Sequence, residues 1–207
     1  CLALAIQKEI LKYKKRLKKN WSKVLKKTRR QAKKAGKPLK VFFQDEAHFG
    51  RINDPRRCWA PKGIRPIVPK QIIREYTYAY GAICPFDGDA CYLILPAMNS
   101  ACMTLFLTEL SQRFPDHFLL VICDGAPCHR EGALNLPENM KVVSLPPYSP
   151  ELNPAENGWD DMREKFFKNT VFDSLEAVKN QLITACRFYE DNPQIIQSIA
   201  GWNWIIN

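Results

Sequence analysis

The chain has 207 residues, with 31 Lys+Arg against 21 Asp+Glu and a formal net charge of +10; that length suits one domain of ordinary size plus an appendage. No apolar run approaches the ~18–20 residues that span a bilayer, which excludes a helical membrane protein. Residues 1–11 are too short and too uncharged at their start for a secretory leader, and the first residue is Cys1 rather than Met, so the expectation is a fragment without a leader.

Residues 2–35 predict one long helix. Ile6, Ile10, Tyr13, Leu17, Trp21 and Val24 recur at steps of four and three and form one apolar stripe. Gly36 and Pro38 stop it. The stripe is expected to bury against the globule, a preceding domain or a second copy. Residues 1–40 carry 16 Lys+Arg and one acid, and the remaining 167 carry 15 Lys+Arg and 20 acids. The chain is thus a basic arm on a mildly acidic globule, with boundaries predicted at 1–38 and 39–207. Such an arm fits a polyanion, nucleic acid before membrane, or else forms a solvated helix face. The arm residues assigned to DNA are Lys14, Lys15, Arg16, Lys18, Lys19, Lys26, Lys27, Arg29, Arg30, Lys33 and Lys34.

Lys40–Gln44 reads as a central strand and 50–64 as a loop or long hairpin insertion. Ile64–Val68, Arg74–Cys84 and Ala90–Leu95 read as further strands, with Asp87-Gly88 as a hairpin turn. Asn99–Arg113 is helical, with Met103, Phe106, Leu107 and Leu110 on one face. Phe118–Cys123 and Lys141–Leu145 are apolar strands joined by a short helical connection. Pro146, Pro147 and Pro150 make the next segment extended and stiff. Asn153-Pro154 starts a helix over 154–168, and helices over 173–190 and 192–199 complete the chain. The order predicts an α/β fold with a five-stranded mixed sheet, helices on both faces and a long basic helix in front.

The eight cysteines contain no C-x-x-C pair, which predicts free thiols in a reducing cytosol and no zinc site at Cys123, Cys128 and His129. Three acids stand in distinctive surroundings: Asp45 in V-F-F-Q-D-E-A-H-F, Asp124 opening D-G-A-P-C-H, and Glu156 in Y-S-P-E-L-N-P-A-E-N-G-W. Two acids at strand ends and one in the first turn of a helix can converge at one sheet edge. There they would hold two divalent cations, Mg²⁺ or Mn²⁺, for phosphodiester chemistry. Each also has an ordinary reading: Asp45 as an ion-pair partner with Glu46 as rival ligand, Asp124 as a turn former, Glu156 as a helix-dipole carboxylate.

The three motifs together resemble those of DDE transposases of the mariner superfamily, in its bacterial insertion-sequence branch. The resemblance covers about residues 40–190. It implies a ribonuclease-H-like fold, with Asp45, Asp124 and Glu156 as catalytic and metal-binding acids. It further implies cleavage at transposon ends, strand transfer into target DNA commonly at TA, and a bacterial, nucleoid-associated homodimer. His129 and Asn153 are candidate supporting residues, and each has a structural alternative, a satisfied histidine and a helix cap. The segment Arg51–Gly63, with Trp59, resembles an insertion that reaches across the dimer in relatives. Gly125 stands where the family more often has Asn, and 31 residues separate Asp124 from Glu156, a shorter gap than usual. The helix-turn-helix modules common in this branch have no counterpart, and the basic helix resembles the linker that comes after them. The rival readings are a non-catalytic DNA-binding or regulatory remnant, a helical dimerisation module, and a nuclease that cuts without joining.

Overall fold

The structure, a computed structural model, describes residues 19–53, 55–124, 135–146 and 149–206. The first eighteen residues of the chain, with Lys14, Lys15, Arg16 and Lys18 of the predicted long helix, lie outside the described residues, as do Gly125, Cys128, His129 and Pro147.

Helix α1 occupies 19–34. Its buried face continues past Val24, where the predicted stripe ends: Trp21, Thr28 and Ala32 are buried, and Val24 and Leu25 pack against the core. Thr28 carries no apolar signal, because its hydroxyl breaks the pattern; Oγ1 donates to the Val24 carbonyl at 3.0 Å, which lets the residue be buried. The helix ends as predicted. Gly36 takes φ +67°, its N–H donates to Lys33 O, and Lys37 N–H donates to Ala32 O, so these carbonyls of the last turn are satisfied.

Five strands come next: β1 (Leu39–Ile52), β2 (Ile72–Ile83), β3 (Ala90–Leu95), β4 (Phe118–Cys123) and β5 (Met140–Ser144), in spatial order β3-β2-β1-β4-β5. β1 pairs with β2 and β2 with β3 antiparallel, whereas β1–β4 and β4–β5 are parallel. This is the ribonuclease-H-like arrangement. Helix α2 (Ser100–Arg113) lies on one face, capped by Asn99, with Met103, Phe106, Leu107 and Leu110 buried as expected. They meet Phe42, Tyr80, Leu119 and Val121. On the other face α1, α3 (Pro154–Met162), α4 (Leu175–Glu190) and α5 (Pro193–Ala200) cover Phe43, Leu120 and Ile122. Every β4 residue is buried because its alternating side chains enter both clusters.

Two expectations need correction. Ile64–Val68 is not a strand: Pro66 within it and Pro69 after it remove ladder donors, and Ile67 is 97% exposed. Residues 53–71 instead form a loop closed at its base, where Asn53 Nδ2 donates to Pro69 O at 2.8 Å and Gln71 N–H donates to Asn53 Oδ1 at 2.7 Å. β1 runs well beyond Gln44, held by β2 alone after its parallel pairing with β4 ends at Phe43↔Ile122. Of the connection between β4 and β5, residues 125–134, on which the short helix was expected, lie outside the described residues.

The helix predicted over 154–168 is α3 continued by a π-helical turn, Arg163–Phe167. A last short helix, α6 (Asn203–Ile206), lies beyond the predicted elements. It receives α1: Trp21 Nε1 donates to Ile205 O at 3.0 Å, and the indole packs on Trp204 and Phe43. No helix among the described residues is long and apolar enough to cross a membrane.

Candidate active site

Asp45 sits mid-strand in β1, on the face that also presents Val41, Phe43, Ala47 and Phe49 to α3 and α4. Glu46, the rival ligand, belongs by strand alternation to the opposite face. Two residues beyond the last parallel pair, Phe43↔Ile122, Asp45 stands level with Asp124, where the chain leaves β4. The site therefore lies where β1 continues and its parallel neighbour stops. Asp124 is exposed there.

Glu156 is exposed in the first turn of α3. The start of that helix is tied to the sheet by Asn153, which is 3% exposed. Asn153 Oδ1 accepts from Ala155 N–H at 3.2 Å, and Nδ2 donates at 3.0 Å to the carbonyl of Gln44, the residue before Asp45. Asn153 is thus a cap and also a latch between two of the candidate acids' elements. Leu152, buried in the core, ends the preceding 3₁₀ turn, Pro150–Leu152.

Close approach of α3 depends on Gly81, the cross-strand partner of Asp45. A Cβ there would lie 2.7 Å from the Trp159 ring and 2.8 Å from Tyr92. Trp159, one turn after Glu156, meets Tyr92 and Phe49 edge-on with centroids 5.6 and 6.0 Å away. The indole thereby fixes the height of α3 above the sheet.

Burial is the main influence on Asp45, which is 8% exposed. It pushes the carboxyl up to about 8, joined by the negative charges of Glu156, Glu46 and Asp124; the backbone N–H of Glu46 opposes the rise. Asp45 therefore senses both other predicted acids. Yet among the described residues no three His, Cys, Asp or Glu groups are close enough to enclose a metal ion. Asp45 lies within electrostatic reach of Glu156 and Asp124. Their hard oxygen donors suit Mg²⁺ or Mn²⁺.

Sequence reasoning missed Arg163. It falls seven residues after Glu156, and with Asp160 it continues one helical face at steps of four and three. That spacing was the available signal. Its guanidinium lies 5.2 Å from the centre of the Phe49 ring. Burial lowers its pKa, as does the charge of Arg56, while Asp160, Glu156 and Asp45 oppose the fall. Arg56 pairs with Asp160 at 2.6 Å and Glu164 at 3.1 Å, which clamps the start of the 53–71 loop onto α3 and the π turn. Beyond lies a cavity of about 510 Å³ lined by His48, Phe49, Arg56, Tyr76, Arg163 and Lys168, among others.

Of the arm residues assigned to DNA, Lys19, Lys26, Lys27, Arg29, Arg30, Lys33 and Lys34 are described, and all are exposed.

A family described as DDE superfamily endonuclease matches residues 40–179. The chain is 34% identical over 131 residues to an uncharacterized protein, y4pE/y4sA, of Sinorhizobium fredii (strain NBRC 101917 / NGR234), an alignment covering 62% of this chain and 96% of that protein. It is similar in structure to the Mos1 transposase paired-end complex with left transposon end, at 18% identity and TM-score 0.56, over 89% of this chain and 61% of that one. The Mos1 mariner paired end complex with Mn matches at 20% identity and TM-score 0.56, over 77% of this chain and 53% of that one. At these identities the likeness is one of fold, and the match spans 61% of the Mos1 chain.

The geometry of the acids gives two testable outcomes. Because the folded-state pKa of Asp45 is raised to about 8 from ~3.9 when unfolded, the folded state binds more protons between those values. Its contribution is present at low pH and lost as pH rises through about 8. The melting-temperature difference between the parent chain and Asp45→Asn should therefore shift against the parent from pH 5 to pH 8.5, and Mg²⁺ should restore the parent only at the higher pH; a pH-independent difference contradicts this. Replacing Asn153 by Asp keeps the cap acceptor but loses the donor to Gln44 O, so denaturant titration should give a loss of about 1–3 kcal/mol, although the helix cap itself is retained.

Proposed function

This chain belongs to the DDE superfamily endonuclease family, and from that premise we propose that it is the catalytic domain of a bacterial DNA transposase, with Asp45, Asp124 and Glu156 as its catalytic and metal-binding acids. The observation that carries the reading is the state of Asp45: a carboxyl buried in the sheet, facing the charges of Glu156 and Asp124 at the end of β4. The charges that act most strongly on it are other acids, Glu156, Glu46 and Asp124, and it makes no ion pair within 4 Å among the described residues.

The acids would hold two Mg²⁺ or Mn²⁺ ions. When bound, such ions activate a water or 3′-hydroxyl on one side of a phosphate and stabilise the leaving oxygen on the other. The chain's own residues contribute position. Asp45 projects from a strand paired on both sides just before it, Asp124 from the first residue past β4, and Glu156 from a helix start latched by Asn153. The Mos1 complexes with Mn and with Mg support the choice of ions, and the paired-end complex supports transposon-end DNA as partner.

The segment 1–38 acts as a basic arm on the catalytic unit 39–207. Its exposed lysines and arginines contact phosphates without reading sequence, so binding falls steeply with salt. The exposed Trp59, Ile64 and Ile67 on the 53–71 loop support a homodimer in which this apolar loop meets the second copy.

With Mn²⁺ and a supercoiled plasmid, the parent chain should nick DNA, and Asp45→Asn, Asp124→Asn and Glu156→Gln should each lose activity by at least about a hundredfold, the scale of a lost transition-state contact. Equal nicking by Asp124→Asn leaves the non-catalytic DNA-binding reading. Exchanging Lys26, Lys27, Arg29, Arg30, Lys33 and Lys34 for Gln should flatten the salt dependence of DNA binding while the chain stays folded. Light scattering addresses the dimer: Trp59→Ser with Ile67→Ser should give a monomer, and an unchanged mass removes the loop from the interface.

A further inference from the structure

We propose that Trp159 is a positioning residue for Asp45: its indole N–H holds the Asp45 carboxylate oxygen that a bound cation leaves free. The inference rests on the reading of the three acids as a metal site and adds the group that orients one of its ligands.

The starting observation is a donor without an acceptor. Trp159 is 2% exposed, and its Nε1 is buried with no hydrogen-bond partner among the described residues. An indole nitrogen only donates, so nothing else can satisfy it, and a buried donor left unmet carries the full cost of its desolvation. Elsewhere the chain does satisfy its indoles: Trp21 and Trp202 donate to the carbonyls of Ile205 and Ile199 at 3.0 and 3.1 Å. Native proteins keep few orphaned groups, and a functional role is one reason for keeping one.

The sheet places the ring beside Asp45. A Cβ on Gly81 would lie 2.7 Å from two ring carbons of Trp159, Cζ2 and Cη2. Nε1 is two bonds from Cζ2, so the donor belongs to the part of the ring that meets the sheet. The direct neighbours of Gly81 across the strands are Tyr92 on β3 and Asp45 on β1. Residues paired in this way have Cβ positions about 5 Å apart. Of the two neighbours, Asp45 alone offers an anionic oxygen. Helix α3 begins over the same point, because Asn153 donates to the carbonyl of Gln44 at 3.0 Å. The indole is held there by the rings of Phe49 and Tyr92, which meet it at 67° and 64°.

Asp45 has acceptor capacity to spare. The hydrogen bond acting on its carboxyl comes from the backbone N–H of Glu46, whereas an ionised carboxylate has about four acceptor positions. Glu156 and Asp124 are exposed and are solvated. Asp45, 8% exposed, takes its partners from the protein, and a fixed donor on a ligand's second oxygen sets its orientation toward a metal. The bond is assigned to the cation-loaded site. The rival partner for the nitrogen is the Tyr92 or Phe49 ring itself, and that contact would be indifferent to metal.

The test follows the indole proton of the whole chain by ¹H–¹⁵N NMR, with the Trp159 signal assigned through its proximity to the Tyr92 and Phe49 rings. Saturating Mg²⁺ should move this signal downfield and slow its exchange with water, and Asp45→Ala should abolish the movement. Trp159→Phe keeps an aromatic ring on Gly81 without the donor. Its affinity for Mn²⁺, read by electron paramagnetic resonance, should be about tenfold weaker, the usual scale for a lost partner of a metal ligand. A signal that stays in place under saturating Mg²⁺ overturns the proposal and leaves the nitrogen to the neighbouring rings. So does a Trp159→Phe chain that binds Mn²⁺ like the parent. The NMR measurement uses the parent chain and stands even where the smaller ring unsettles α3. If Asp45→Ala and Glu156→Gln bind Mn²⁺ like the parent, the reading of the acids fails and this proposal with it; if they lose Mn²⁺ while the indole signal is unmoved by Mg²⁺, the proposal alone fails.

Discussion

Asn153 joins the two halves of the site through one buried amide. Its oxygen accepts from the first turn of α3, and its nitrogen donates to the strand carbonyl one residue before Asp45. A side chain with only an acceptor, such as Asp, would cap the helix equally well but leave the Gln44 carbonyl without this partner. The requirement for donor and acceptor together is what makes asparagine fit. The rest of α3 inherits the geometry: Glu156 in the first turn, Trp159 resting on Gly81 one turn later, and Arg163 above Phe49 one turn beyond that. A small rotation of α3 at its start would displace all three.

The same placement concentrates charge in a way the fold must tolerate. A buried Asp45 beside Glu156 and Asp124 is unfavourable as an anion, and its raised pKa expresses that. The acids sit at the edge where β4 stops and β1 runs on, so two of them stay exposed and solvated while the third is held rigid in the sheet. Such a site is stable when protonated or when a cation enters, and least stable when bare and ionised. Arg163, Arg56 and the basic arm supply positive charge without entering the acid cluster, an arrangement that attracts a polyanion and leaves the carboxylates available.

The 53–71 loop shows how a polar clamp can hold an apolar projection in water. Asn53 closes its base, Arg56 anchors it to α3 and the π turn, and Asn169 holds the Arg56 backbone by donating to its carbonyl and accepting from its N–H. Trp59 and Ile67 beyond the clamp are fully exposed. The loop is thus fixed where it leaves the domain, with its apolar groups facing outward.

What the sequence determined by itself are features set by neighbours a few residues apart. These include the α2 face of Met103, Phe106, Leu107 and Leu110, the cap at Asn153, the stop at Gly36, the apolar β4 run, and the three acid motifs with the family they indicate. Tertiary structure decided what depends on distant partners. Ile64–Val68 had strand-like residues but no strand to pair with, and β1 outran its apolar core because β2 was there to pair with it. Trp21 found its acceptor 184 residues away. Arg163 was one arginine among many until folding half-buried it beside the acids with its nearest carboxylate already taken. Local propensity and capping act over one turn of chain, whereas ladder pairing, desolvation and the competition for counter-charges exist only once the chain has brought its distant parts together.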